Sequence, residues 1–159
     1  METQDPAAET APTKSSRRRD NRAAAMQFIY MWEVNPGDSL ETELGRFFGD
    51  LEHPRDYYSF GEELVIGMLA QREEIDGLIK ANAHNWAFNR IARVDLAILR
   101  LGIHELLKRR DIPPVVTINE AIELGKIYST PDSRRFLNGI LDKVKDSLDR
   151  PSRTAEEKK

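Results

Sequence analysis

The sequence predicts an all-α protein, and three observations carry that prediction. Residues 90–107 wrap as a helix that is apolar over most of its circumference, through Ile91, Val94, Leu96, Ile98, Leu99, Leu101, Ile103, Leu106 and Leu107. Other stretches repeat apolar residues at helical spacing, and none alternates with period two over five or more residues. Turn chemistry separates these stretches at Asn35-Pro36-Gly37, His53-Pro54, Ile112-Pro113-Pro114 and Thr130-Pro131.

A helix that is apolar nearly all round must be covered on several sides, so residues 90–107 are expected to form the central helix. Charge interrupts them too often for a membrane span, which takes about 20 mostly apolar residues. Arg93, Arg100, His104 and Lys108 form a narrow polar stripe. Asp95 lies roughly opposite that stripe, where it either caps a nearby helix start or faces a partner.

The other elements follow in order. Residues 1–16 and 150–159 lack apolar periodicity and are expected to be disordered tails, dispensable for folding, around a helical domain at 17–149. Ser15 or Ser16 is a candidate cap for a first helix running to about Glu33, with Ala25, Phe28, Ile29 and Trp32 inward. Asp38 or Ser39 opens a shorter helix carrying Leu40, Leu44, Phe47, Phe48 and Leu51. One long helix is expected after His53-Pro54, ending near Asn82, with Trp86 and Phe88 plugging the joint before the central helix. Pro114 suits a first helical position, while Thr117-Ile-Asn-Glu120 reads as a capping box one turn later. Thr130-Pro131 opens the last helix, with Phe136, Leu137, Ile140, Leu141, Val144 and Leu148 on its apolar face.

The chain has 159 residues, enough for one domain or two small packed subdomains, with 40% hydrophobic and 32% charged residues. A net charge of -3 argues against a globally basic nucleic-acid binder, so any such site is a local patch. There are no cysteines and no apolar leader, which suits a reducing cytoplasm. No phosphate loop, G-x-S-x-G or H-E-x-x-H motif is present, and the three histidines lack ligand spacing. No catalytic residue, metal site or cofactor is expected.

The sharpest polar feature is Arg17-Arg18-Arg19 followed by Arg22. Cations near a helix N-terminus oppose the macrodipole, at about 0.3–1 kcal/mol each at low salt. An anionic partner explains them better than solvation does, although Asp20 partly offsets them. Arg18, Arg22, Met26 and Tyr30 are spaced by four, so the basic stripe passes to a ring on which a base can stack. RNA binding and a solvated face both fit these residues. A second candidate surface joins the last two helices: Lys126, Tyr128, Asp132, Ser133, Arg135 and Phe136. Its rings are either exposed for recognition or ordinary core.

Four segments, taken together, resemble the NusB family of bacterial transcription antitermination factors. They are Arg17-Arg-Arg-Asp-Asn-Arg-Ala23 with Gln27-Phe-Ile-Tyr30 and Trp32; Arg90-Ile-Ala-Arg-Val-Asp-Leu-Ala-Ile-Leu-Arg100 with Glu105-Leu106; Ile112-Pro with Thr117-Ile-Asn-Glu-Ala-Ile-Glu-Leu124; and Asp132-Ser with Phe136-Leu-Asn-Gly-Ile-Leu-Asp-Lys143. The resemblance implies about seven helices arranged as two packed three-helix bundles, without catalytic activity. It implies binding to boxA-type leader RNA of rRNA operons together with the small-subunit ribosomal protein NusE, helping RNA polymerase resist termination. Carried over by motif, Arg18, Arg19, Arg22 and Tyr30 fall on the RNA-facing first helix, and Tyr128, Asp132 and Phe136 on a second RNA-facing region. Asp95 matches an acidic position toward the ribosomal protein. Asp20-Asn21 and His104 depart from the family pattern, and the first departure weakens the electrostatic contribution. Some such proteins pair as homodimers, so the competing expectation is a self-associating helical interaction module with little RNA affinity of its own.

Overall fold

The computed structural model describes residues 11–84 and 87–155, and among these it contains seven α-helices and no strand. They are α1 (Lys14–Val34), α2 (Leu40–Gly49), α3 (Ser59–Ala70), α4 (Arg72–Asn82), α5 (Arg93–Lys108), α6 (Pro114–Tyr128) and α7 (Pro131–Asp146). Helix α5 is the centre, as its apolar circumference requires. Helices α1 and α3 pack on one side of it and α6 and α7 on the other; α2 leans on α1, and α4 on α5 and α7. The middle of the α5 polar stripe is buried as well, while Arg93 and Lys108 at its ends are exposed: Arg100 meets Asp76 at 2.8 Å and Glu33 at 3.3 Å, and the His104 Nδ1 lies 3.0 Å from the Gln71 Oε1.

Helix starts follow local chemistry. Thr13, rather than Ser15 or Ser16, caps α1 by accepting from the Ser16 N–H, so residues 14–16 belong to the helix and not to the tail. Ser39 and Thr130 cap α2 and α7 in the same way. Pro114 takes the first turn of α6, and the Thr117 hydroxyl donates instead to Glu105 at 3.1 Å. Tight ring packing of Phe28 with Phe47 and Phe48, at 5.6 and 5.9 Å between centroids, seats α2 on α1.

The expected long helix after His53-Pro54 is a short 3₁₀ turn, α3 and α4, with a break at Gln71 (φ -118°, ψ 16°). The break has a packing cause: α3 lies against α1 and α5, whereas α4 must reach α7. Helix α3 also approaches α1 closely at Gly61, whose N–H donates to the Asn21 side-chain oxygen at 2.8 Å, while the Asn21 amide donates to the carbonyls of Arg17 and Tyr57. The unexpected asparagine is thus a stitch between helices. Phe88 is half-buried, with Lys80 4.8 Å from its ring, while Trp86 lies outside the described residues.

Residues 150 and 152, expected to lie in the C-terminal tail, are bonded to the helical domain. Arg150 donates to the carbonyls of Arg109 and Ile112 at 3.2 and 2.8 Å, and the Ser152 carbonyl accepts from the Val115 N–H at 3.0 Å. These bonds satisfy backbone groups left open at the α5–α6 turn.

Candidate nucleic-acid interface

Helix α1 divides its arginines between two tasks. Arg22 is 4% exposed and forms a bidentate pair with Glu105 at 2.9 and 2.7 Å. Thr117 completes the site from α6, so one buried network ties α1, α5 and α6 together. Arg22 therefore departs from the RNA-facing set into which its spacing placed it. Met26, from the same stripe, is buried too. A stripe spaced by four drifts around the helix, and tertiary packing covers its middle.

The other three arginines form a rim. Arg17 lies 4.6 Å from the centroid of the Tyr57 ring and donates to the carbonyls of Tyr57 and Asp56. Arg18 lies 4.7 Å from the Phe60 ring, and its nearest carboxylate, Asp111, is 3.8 Å away. Arg19 forms a bidentate pair with Glu120 at 3.0 and 2.9 Å while remaining half-exposed. Burial, and then the neighbouring charge of Arg109, hold the Arg18 guanidinium below its usual pKa. The Glu120 hydrogen bond raises that of Arg19. Arg109 binds Asp111 through two 2.9 Å bonds, which hold that carboxyl down at about 2.

The rim continues toward the second candidate surface. The Gln27 amide donates to the Tyr128 hydroxyl at 2.8 Å, joining α1 to the end of α6. Tyr30 and Tyr128 are each 39% exposed, so neither ring is core. Lys126 is exposed and paired with Glu123 at 2.9 Å. Asp132 is exposed at the start of α7, and Ser133 takes part in the Thr130 cap. Arg135 and half-buried Phe136 open instead onto a groove of about 210 Å³ between α7 and the end of α4, shared with His84 and Lys143.

Asp95 takes the structural one of its two readings. It is 4% exposed and accepts a hydrogen bond from the Ser129 hydroxyl, fixing the turn between α6 and α7. In this arrangement its carboxylate is engaged within the fold and does not face outward as the partner reading expects. Sequence reasoning missed Gln27, Tyr57, Phe60 and Arg109. Arg109 left a signal in the run Lys108-Arg109-Arg110, and Gln27 in the segment Gln27-Phe-Ile-Tyr30.

Among the described residues, no helix is long and apolar enough to cross a membrane, and no group of three or more metal-ligating His, Asp or Glu side chains occurs. Helices that present guanidinium groups, exposed rings and amides along one rim make a binding scaffold. Comparison with known proteins places it: the NusB family model matches residues 19–146, and the chain belongs to that family of non-enzymatic transcription antitermination factors. The transcription antitermination protein NusB of Myxococcus xanthus is 41% identical over 137 residues, covering 84% of this chain and 98% of the relative. The structure of T. maritima NusB is 32% identical with a TM-score of 0.75, covering 92% of this chain and 96% of that one. A complex of antitermination factors NusB and NusE with dsRNA gives a TM-score of 0.69 at 24% identity, covering 83% and 98%, and shares the fold.

Proposed function

We propose that this protein works as an adaptor in transcription antitermination, binding boxA-type leader RNA of rRNA operons together with a NusE-type ribosomal protein and helping RNA polymerase resist termination. The observation that carries the RNA reading is that two of the three rim arginines, Arg17 and Arg18, have no close carboxylate. Arg17 is held by backbone carbonyls and the Tyr57 ring, and Arg18 has no carboxylate within hydrogen-bond distance. Both sit where the helix dipole disfavours cations. The rim then continues through Gln27 to the exposed rings of Tyr30 and Tyr128.

A division of labour follows. Arg17, Arg18 and Arg19 neutralise phosphates and release counterions, which supplies affinity with little sequence information. Tyr30, Tyr128 and, across the turn, Asp132, Ser133 and Phe136 meet unstacked bases, where sequence is read. Lys126 and Arg135 flank that reading surface. The NusB–NusE–RNA complex among the structural neighbours supports this assembly.

Titrating the purified protein with boxA RNA and with a scrambled RNA, each with and without the ribosomal protein, tests the reading. Preferential binding of boxA RNA, strengthened by the ribosomal protein, is expected. Equal binding of both RNAs in both conditions would remove the adaptor role. A second reading, self-association through the same rim, is favoured by the exposed Ile127 and Tyr128. It predicts a protein that sediments as a dimer and loses that state when RNA is added.

A further inference from the structure

The start of α1 borders a second cleft, enclosed by the start of α3 and the end of α5. It measures about 310 Å³ and is lined by Lys14, Arg17, Arg18, Tyr57, Phe60 and Arg109, among others. Accounting for charge there leaves a surplus of cations. Arg109 holds Asp111 in a bidentate pair, so that carboxylate is only loosely shared with Arg18 at 3.8 Å. Glu63 is 3.5 Å from Arg109, but its side chain is 69% exposed. Asp20 accepts from the Tyr57 hydroxyl at 2.7 Å. Lys14, Arg17 and Arg18 thus face the cleft without a close carboxylate of their own.

The rings decide what kind of anion fits. Arg17 already lies over Tyr57, and Arg18 and Arg109 lie 4.7 and 5.0 Å from the centroid of Phe60. Guanidinium groups occupy the faces on which a base would stack. The stacking also orders those groups, which lowers the entropy lost on gripping a phosphate.

We propose that this cleft receives a backbone phosphate of the bound RNA strand just beyond the boxA contacts of Arg18, with Arg109 at its oxygens and Lys14 at the mouth. The proposal rests on the RNA reading above and extends the footprint from α1 onto the end of α5. The contact is blind to sequence, because it engages backbone and no base.

The test compares two RNAs, boxA alone and boxA with flanking nucleotides on both sides, against wild-type protein, Lys14→Gln and the double variant Lys14→Gln/Arg109→Gln. For the extended RNA, the double variant is expected to bind about three- to tenfold more weakly, with a salt slope shallower by about 0.7 for a lost single-strand phosphate contact. Lys14→Gln, which removes no internal bond of the fold, is expected to show a smaller loss of the same kind. Binding of boxA alone should not change. Extended-RNA affinity and salt slope equal to wild type in both variants would overturn the proposal. Were the wild-type protein to hold neither RNA, the functional reading itself would fall, and the phosphate cleft with it.

Discussion

Arg19 and Arg22 stand less than a turn apart on α1, and each is held by a carboxylate through two short hydrogen bonds, yet they serve different ends. The Arg22–Glu105 side chains are 5% and 2% exposed, whereas Arg19 is 55% exposed beside Glu120 at 14%. A buried pair cannot release its partner without leaving a charge out of water, so it fixes the packing of α1 on α5. A surface pair exchanges readily with solvent or with a phosphate, so it remains available. Burial, and not residue type, decides which arginine builds the fold and which one stays available to a ligand.

The largest expected effect breaks the buried half of that comparison. Arg22→Met alone should destabilise the protein by about 3–5 kcal/mol by stranding the Glu105 charge. At roughly 2–4 °C per kcal/mol for a chain of this size, the melting temperature should fall by about 10 °C. Adding Glu105→Leu should recover much of the loss in denaturant titrations, because an apolar pair often replaces a buried ion pair well. A smaller effect tests the stitch beside it. In Gly61→Ala the new Cβ would sit 2.8 Å from the Asn21 carbonyl oxygen, forcing α3 away from α1. About 1–3 kcal/mol of stability should be lost, read by the denaturation midpoint.

The pH dependence of stability sharpens the contrast between interior and rim. Burial first, then Arg109 and Lys108, hold the His104 pKa down from 6.5 to about 4. Between those values the unfolded chain binds more protons than the folded one, so stability is complete above pH 6.5 and declines as pH falls toward 4. About 1–2 kcal/mol should be lost across that window after allowance for solvent screening, and His104→Gln should flatten it. Asp111 belongs to a lower window: its contribution is lost as pH falls below about 3.8 toward 2. The smallest effect on stability belongs to Arg19→Gln, which should cost under about 1 kcal/mol in thermal melts.

How much of this was legible depended on whether a feature was local or tertiary. Helix identities, the Ser39 and Thr130 caps and the central place of α5 follow from periodicity and turn residues. The break at Gln71 does not, because no Pro or Gly marks it and only the need for α4 to reach α7 imposes it. Among the candidate site residues, Tyr30 is exposed, and so is Tyr128, whose spacing left it open between surface and core. The inward turn of Arg22 depends on Glu105, 83 residues away, and that of Asp95 on Ser129, 34 residues away. Helical spacing carries no information about either partner, and the same holds for Phe60 and Arg109 at the phosphate cleft.

If the α1 rim carries RNA while the buried arginine carries the fold, the salt dependence of RNA binding is the most direct test. In the triple variant Arg17→Gln/Arg18→Gln/Arg19→Gln, the slope of log affinity against log salt for boxA RNA should become shallower by about 2, at about 0.7 per phosphate contact. Affinity should fall more than about tenfold while helicity stays at the wild-type value. A slope and affinity equal to wild type in that variant would contradict the account.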